Sequence, residues 1–478
     1  MDAARANHRA MTNRLKIVAI VLAATVVTPA AAAELVRKAT LAVRMAPPPQ
    51  GVAGVQIAET FPQGTAQAIG MKTGDVVTSA DGQPIRASGD MAAYAASKRA
   101  GDAVSFTVLR DGKTVKLGGK ALPRPFETYA GATVTYGQIP FAGGLLRDIM
   151  VMPKGVPTPP VLFLIQGFSC ASIEPAIASD PYRQLGEELV KRGIAYYRVE
   201  KPGMGDSSGP LACTDIDLIT ETDSFRAAYR HIIDDKGIDP DRIFMFGHSL
   251  GGIEAPVLAA ERPPRGVAAY GTVLKNWADY HLDIGRIQSF LLAGADPAST
   301  FAATEQNRDL FRRFYFNNET PAALAAANPA YGPAMRELFN WDGQDKMFGR
   351  NFRYMQQIAH VPLAAAWRGT KSNVMALYGE TDIVAINSED HRLIADIANF
   401  FRPGSGRFVE VPATGHGMDL IGNRSEYREK MIATGGNPGS SPFNPQVAVE
   451  LANWIKSSMA RPPVRLQADR QLPQPPAG

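Results

Sequence analysis

The sequence predicts an α/β fold with a mainly parallel sheet, preceded by a small, mostly β domain. From about residue 127, apolar runs of strand length (VLFLIQG, AYYRVEKPG, RIFMFGHS, GVAAYGTV, VMALYGE, RFVEVP) alternate with helical stretches. That alternation is the mark of βαβ units and of a sheet covered on both faces. Between about residues 36 and 122 the runs GVQIAE, DVVTSADGQPI and AVSFTVLRDGKTVKL alternate with period two, and the latter two contain Asp81-Gly82 and Asp111-Gly112, the chemistry of tight hairpin turns. A length of 478 residues exceeds one ordinary domain and suffices for two or three buried cores. Hydrophobic residues at 45% and charged residues at 20% exclude a disordered chain and a multispan membrane protein.

Residues 1–33 read as a signal peptide. Arg14 and Lys16 precede the apolar run Ile17 to Val27, and Ala31-x-Ala33 supplies a cleavage pattern. The run is short for a bilayer, so the mature chain is expected to carry no stable membrane span and to be exported, periplasmic or secreted. Met11 serves as a start as well as Met1. Removal of this segment takes away four basic residues and one acidic one, and the formal charge falls from +4 to +1. The remaining chain has no basic run that would suggest nucleic acid as a partner.

The first domain, residues 36–122, holds its short strands and one helix, Asp90 to Arg99. The segments Gly51-Val52-Ala53-Gly54-Val55, GTAQAIGMKTGDVVTSADGQPI and the strand run from Gly101 resemble a PDZ domain of the bacterial periplasmic-protease type. The resemblance implies a groove between the second strand and the helix. There the C-terminus of a protein partner would add as a strand, its carboxylate held by backbone N–H groups of Gly51, Val52, Ala53 and Gly54.

The second domain, residues 127–458, has helices expected at Tyr182 to Arg192, Asp217 to Asp235 and Leu250 to Ala260. About residues 275–368 lack a convincing buried strand and carry amphipathic helical stretches, as an inserted helical cap would. The Pro/Gln-rich tail, 461–478, is too poor in apolar residues to pack.

The segment RIFMFGHSLGG, Arg242 to Gly252, places Ser249 between glycines where a strand must turn sharply into a helix. In that geometry the serine Oγ stands exposed and the N–H of Leu250 faces the position of an oxyanion. A serine needs a base. His416, in VEVPATGHGMD, follows the last strand in a glycine-flanked loop. His8 lies in the leader, His248 inside the turn, and His391 on what reads as a surface helix; His231, His281 and His360 read as structural helix residues. Asp382, in ALYGETDIV, is the orienting acid, with Glu380 as its competitor. The second oxyanion donor is expected from Phe168, after Gln166-Gly167.

Together these segments, with EKPGMGDSSGP after the fourth strand, resemble the α/β-hydrolase superfamily, its capped serine esterases and aminopeptidases in particular. The chain departs from the common pattern at Gln166, where a histidine often stands, and at Glu200, where aspartate is more common. The resemblance implies a serine hydrolase in which Ser249, His416 and Asp382 cleave a carboxylic ester through an acyl-enzyme. A peptide-bond-cleaving aminopeptidase is the alternative within the family, using Glu305, Glu319, Asp342 or Asp345 for the substrate ammonium. A non-catalytic adaptor acting through the PDZ-like groove is the alternative outside it. No cofactor is called for, and with neither a CxxC motif nor a Cys/His cluster no metal site is expected.

Cys170 and Cys213 are the only cysteines, and in an exported chain they read as a disulfide or as two buried thiols. The hydrolase resemblance places them in neighbouring loops, where a bridge would stiffen the rim of the site. The oxidised mature protein should then show no free thiol in a denaturing Ellman titration; two titratable thiols would exclude the bridge.

Overall fold

Period-two alternation becomes an antiparallel sheet. A computed structural model describes residues 34–175, 177–434, 439 and 441–466; the leader pattern and residues 467–478 lie outside the described residues. Strand β1 (Val43–Ala46), β2 (Val55–Thr60), helix α1 (Thr65–Ala68), β3 (Val76–Ala80), the short β4 (Gln83–Pro84), α2 (Ser88–Ser97), β5 (Ala103–Arg110) and β6 (Lys113–Lys120) follow in chain order. The strand order is β1-β2-β3-β5-β6, with β4 beside β3. Asp81 and Asp111 take left-handed φ values of 47° and 49°, as two-residue I′ turns require. Ile57, Val77, Met91, Phe106 and Val108 fill the core. Helix α2 begins two residues earlier than its pattern predicts, because Asp90 accepts the N–H groups of Arg86 and Ala87 at 2.8 and 3.0 Å and organises the first turn.

The second sheet opens with a hairpin that the sequence pattern did not reveal, β7 (Ala132–Phe141) and β8 (Gly144–Pro153). β7 is the edge strand and interleaves polar residues, and Arg147 and Asp148 interrupt β8, so neither reads as one unbroken apolar run. Then follow β9 (Val161–Ile165), α3 (Pro181–Lys191), β10 (Ala195–Val199), α4 (Leu218–Asp234), β11 (Ile243–His248), α5 (Gly251–Glu261) and β12 (Gly266–Tyr270). Asp180 and Asp217 cap α3 and α4 through their carboxylates.

The helical insertion runs from Trp277 to Gly369: α6 (Trp277–Ala293), α7 (Pro297–Gln306), α8 (Arg308–Phe311), α9 (Pro321–Ala327), α10 (Tyr331–Phe339), a two-strand ribbon β13 (Lys346–Met347) and β14 (Arg350–Asn351), α11 (Phe352–Ala359) and α12 (Leu363–Gly369). The chain returns to the sheet with β15 (Asn373–Gly379), α13 (Glu389–Phe401), β16 (Gly406–Val411), α14 (Arg424–Ala433) and α15 (Pro445–Met459). The tail is not wholly detached: Val464 is buried, and Arg465 pairs with Asp241 at 2.8 Å.

The sheet order is β16-β15-β12-β11-β9-β10-β8-β7, parallel from β16 to β10 and antiparallel beyond. Leu162 and Leu164 of β9 face one apolar layer, and Val161, Phe163 and Ile165 the other. Two buried faces explain why the central strands β9, β11, β12 and β15 read as hydrophobic runs, whereas the edge strand β16, GRFVEV, interleaves Arg407 and Glu410. The winding reverses at β9, which β10 and β11 flank. Ligand sites of open α/β sheets lie outside the strand ends at such a reversal. The described residues from Leu35 onward form one compact unit that includes both sheets.

Candidate active site

At the reversal point the end of β11 turns into α5. Ser249 occupies the bend with φ of 55°, a left-handed conformation that L-residues seldom adopt. Its N–H is anchored to Tyr270 O at 2.8 Å. Only glycine fits two residues later: a Cβ on Gly251 would lie 2.0 Å from Ile165 O. The close approach of helix to strand raises the Ser249 side chain, which stays partly exposed.

His416 Nε2 lies 3.0 Å from Ser249 Oγ, and its Nδ1 lies 2.9 Å from Asp382 Oδ2. Asp382 is fully buried and accepts the N–H groups of Val384 and Ala385 on Oδ1, both at 2.8 Å. Burial opposes its ionisation, but the neighbouring His416 outweighs that effect and holds its pKa below the ordinary value. Burial likewise presses on the His416 imidazolium, and attraction to Asp382 reverses the sign, so the His416 pKa stands above 6.5. Glu380 is engaged elsewhere, accepting Ala413 N–H at 2.8 Å. Gly271 contributes a position that motif reading missed: at φ 62°, a Cβ there would sit 2.8 Å from Asp382 Oδ2 and 3.0 Å from His416 Nδ1.

Facing Ser249 is the loop after β9, where a Cβ on Gly167 would come within 2.9 Å of Ser249 Cβ. Among the described residues, the N–H groups of Leu250 and Phe168 donate to no other group. Buried cations grip the carbonyls of this loop: Lys201 Nζ donates to Gly167 O at 2.6 Å, and Arg350 Nη1 to Phe168 O at 3.0 Å. Both cations meet Glu221, at 2.8 and 2.6 Å. Arg350 comes from the helical insertion, so the cap reaches under the loop and helps to fix it. Nothing in the sequence singles out Lys201 and Arg350; their roles depend on the fold.

His248 is wedged between the loops. Its Nε2 faces His416 O at 2.8 Å, and a carbonyl only accepts, so Nε2 carries the proton and Nδ1 accepts from Tyr182 OH at 2.7 Å. Burial, with the nearby His416 charge, lowers its pKa to about 4. The surface position expected for His391 is not observed. It is buried on the inner face of α13, accepts Thr272 N–H at 3.1 Å, and has its pKa lowered by burial to about 4.

Cys170 and Cys213 form a disulfide that ties the loop after β9 to the loop after β10. Gly51 to Gly54 form the end of the loop between β1 and β2. At Gln56 and Ile57, β2 is bonded on both sides, with β1 and with the β3 side. Strand addition beside that loop is therefore blocked, and the open edge belongs to β1. Among the described residues no group of three or more His, Cys, Asp or Glu is placed to hold a metal ion.

The charge arrangement sets a pH dependence. His416 must be neutral to accept the serine proton, so fluorophosphonate labelling of Ser249 should rise with pH through a midpoint above 6.5. In Asp382→Asn, burial acts on the imidazole against only the weaker attraction of Asp419. The midpoint should fall below 6.5, and the plateau rate should drop by about 10³–10⁴-fold. An unchanged midpoint in the variant would remove Asp382 from this role.

Comparison with known proteins is consistent with both sheets. Residues 30–118 match the PDZ domain family, and residues 163–427 match the alpha/beta hydrolase family. A probable periplasmic serine endoprotease, DegP-like, from Pseudomonas savastanoi pv. phaseolicola is 33% identical over 97 residues, 20% of this chain and 17% of that protein. A probable periplasmic serine protease, do/HhoA-like, from Haemophilus influenzae is 38% identical over 61 residues, 13% of each. The chain thus spans under a fifth of either curated relative. Among solved structures, Est1E from Butyrivibrio proteoclasticus is 16% identical with a TM-score of 0.41, covering 68% of this chain and 99% of that one. The proline iminopeptidase of Mycobacterium smegmatis is 15% identical with a TM-score of 0.41, at the same coverage. The hydrolase match extends over more than half of the sequence, and the chain belongs to the alpha/beta hydrolase family, with a PDZ domain at its N-terminal side.

Proposed function

We propose that the chain is an exported serine hydrolase that cleaves small-acyl carboxylic esters. The observation that carries this reading is the row Ser249 Oγ, His416 Nε2, His416 Nδ1, Asp382 Oδ2, each step within 3.0 Å. Ser249 Oγ attacks the ester carbonyl as His416 takes its proton, and the N–H groups of Leu250 and Phe168 receive the oxyanion. His416 then protonates the leaving alcohol, and water, activated by the same imidazole, releases the acid. The leader pattern and the disulfide support export.

The crevice beside Ser249 supports an ester over an amino-terminal peptide. Leu250, Ile253, Gly271, Thr272, Val273, Trp277, Tyr280 and Val384 line it, with no carboxylate to receive an ammonium. Three of the four cap acids have other partners: Glu305 pairs with Arg308, Glu319 with Arg313, and Asp342 accepts backbone N–H groups of Gln344 and Lys346; the fourth, Asp345, is exposed and does not line the crevice. The crevice offers about 10 Å³, room for one water-sized group. Ile253 and Trp277 also line a largely apolar cavity of about 400 Å³, and so form a wall between the two spaces.

The PDZ domain supports a second capacity, the binding of extended peptide. β1's open edge adjoins a cavity of about 590 Å³ lined by Ala42, Val43, Phe61, Phe126, Ile177 and Arg183 among others. This favours the edge of β1 over the Gly51–Gly54 loop as the place of strand addition.

Tested against p-nitrophenyl esters and aminoacyl p-nitroanilides, the mature protein should hydrolyse acetate best, and Ser249→Ala should lose at least about 10³-fold. Preference for the anilides would favour the peptidase. In Trp277→Ala, the octanoate-to-acetate ratio of kcat/KM should rise by about 10–10²-fold. A wild type that already prefers octanoate would refute the small acyl pocket.

A further inference from the structure

The PDZ domain does not hang from the hydrolase as a tethered module; it grips the two loops that frame Ser249. Arg37 precedes β1, and its guanidinium is almost entirely buried. Nη1 and Nη2 donate to the two carboxylate oxygens of Glu174, each at 2.7 Å, and Nη1 also reaches Asp206 Oδ2 at 2.7 Å. The remaining donors are spent on Pro125 O at 2.9 Å and Arg124 O at 3.2 Å, and the plane lies 4.4 Å from the Phe126 ring centre. Lys38 N–H donates to the other Asp206 oxygen at 2.7 Å. Arg99 donates to Ser207 O at 3.0 Å, and Arg124 to Glu174 O at 2.8 Å.

Glu174 and Asp206 belong to different loops. Glu174 ends the segment that begins with Gln166, Gly167 and Phe168; Asp206 lies in the loop that carries Lys201 and Cys213. These loops are joined at three further points: Lys201 to Gly167 O, the disulfide, and Glu200, which accepts Ser172 Oγ and Ile173 N–H. Arg37 closes the far end of this ladder. Without it, two buried carboxylates lose the cation they share. Glu174 would keep Tyr136 OH and Asp206 would keep Arg147, but nothing would span the pair.

We propose that Arg37 is a positioning residue for the Ser249 centre: by holding Glu174 to Asp206 it fixes the loop that presents the Phe168 N–H. The first domain is then part of the hydrolytic apparatus. This inference rests on the serine-hydrolase reading, and the experiment separates the two.

Mature wild type is first titrated with a fluorophosphonate to count reactive serines, and kcat is expressed per titrated site. Arg37→Lys keeps a charge but offers a point donor where the planar fork spans two carboxylates. Its kcat per titrated serine should fall by about 10²-fold, as expected when one oxyanion donor is displaced. KM should stay within about threefold, and affinity for a trifluoromethyl ketone, a tetrahedral analogue, should fall in step with kcat. A residue that served folding alone would lower Tm and the titrated fraction, yet leave kcat per site intact. To keep the test independent of the stability of Arg37→Lys, the triple variant Arg37→Met, Glu174→Gln, Asp206→Asn is measured as well. It removes the Arg37 charge together with both carboxylates, while Arg147, the other partner of Asp206, keeps the carbonyls of Gly137 and Leu35; it should fold while showing the same loss of kcat. Wild-type kcat per site in either folded variant overturns the positioning role. A wild type that neither labels nor hydrolyses esters overturns the hydrolase reading, and this inference with it.

Discussion

The geometry of the centre depends on one strained residue. A left-handed φ at a residue with a side chain costs on the order of 1–2 kcal/mol, and Ser249 is held there by its surroundings. Its N–H is bound to the end of β12, and the helix that follows is pressed so closely against the end of β9 that Gly251 tolerates no added atom. Three parallel strands therefore set the position of one oxygen. If β9, β11 and β12 shifted in register, the serine could relax and the row to His416 would open.

Around this point the protein uses backbone carbonyls as handles. Lys201 and Arg350 hold the carbonyls of Gly167 and Phe168, while His248 holds that of His416. A carbonyl held from behind fixes the peptide plane, and the N–H groups of the loop are fixed with it. The cation sources are dispersed: one lies after β10 and one in the cap. This dispersal ties the cap and the loops into a single mechanical unit, at the cost of burying charges that are tolerated only because Glu221 faces both.

How far the sequence foretold this differs from part to part. The parallel strands were legible because burial on both faces leaves no polar residue in VLFLI or IFMF. Ser249 and Asp382 could be named because each follows such a strand, and His416 because its glycine-flanked loop follows the last, half-exposed strand. The β7–β8 hairpin was hidden by its mixed polarity, and the first two residues of α2 by an acid that caps from its third position. His391 was misread as a surface residue: its helix is amphipathic, and a histidine gives no sign of which face it occupies. Arg37, Lys201 and Arg350 were out of reach for a different reason. Their partners lie 129 to 169 residues away or follow from loop paths, and local pattern carries no information about such pairs.

The buried histidines have a further consequence for the life of the molecule in acid. His248 and His391 are held neutral down to about pH 4, and His281, enclosed by the aromatic rings of the cap, to about pH 3. An unfolded chain would bind protons at all three from about pH 6.5 downward. Between these limits the unfolded state takes up protons that the folded state refuses, so each step toward acid draws the equilibrium toward unfolding. The cap and the sheet carry this liability together, one through His281 and the other through His248 and His391. A protein built this way meets an acidifying medium first as a proton reservoir that only unfolding can fill.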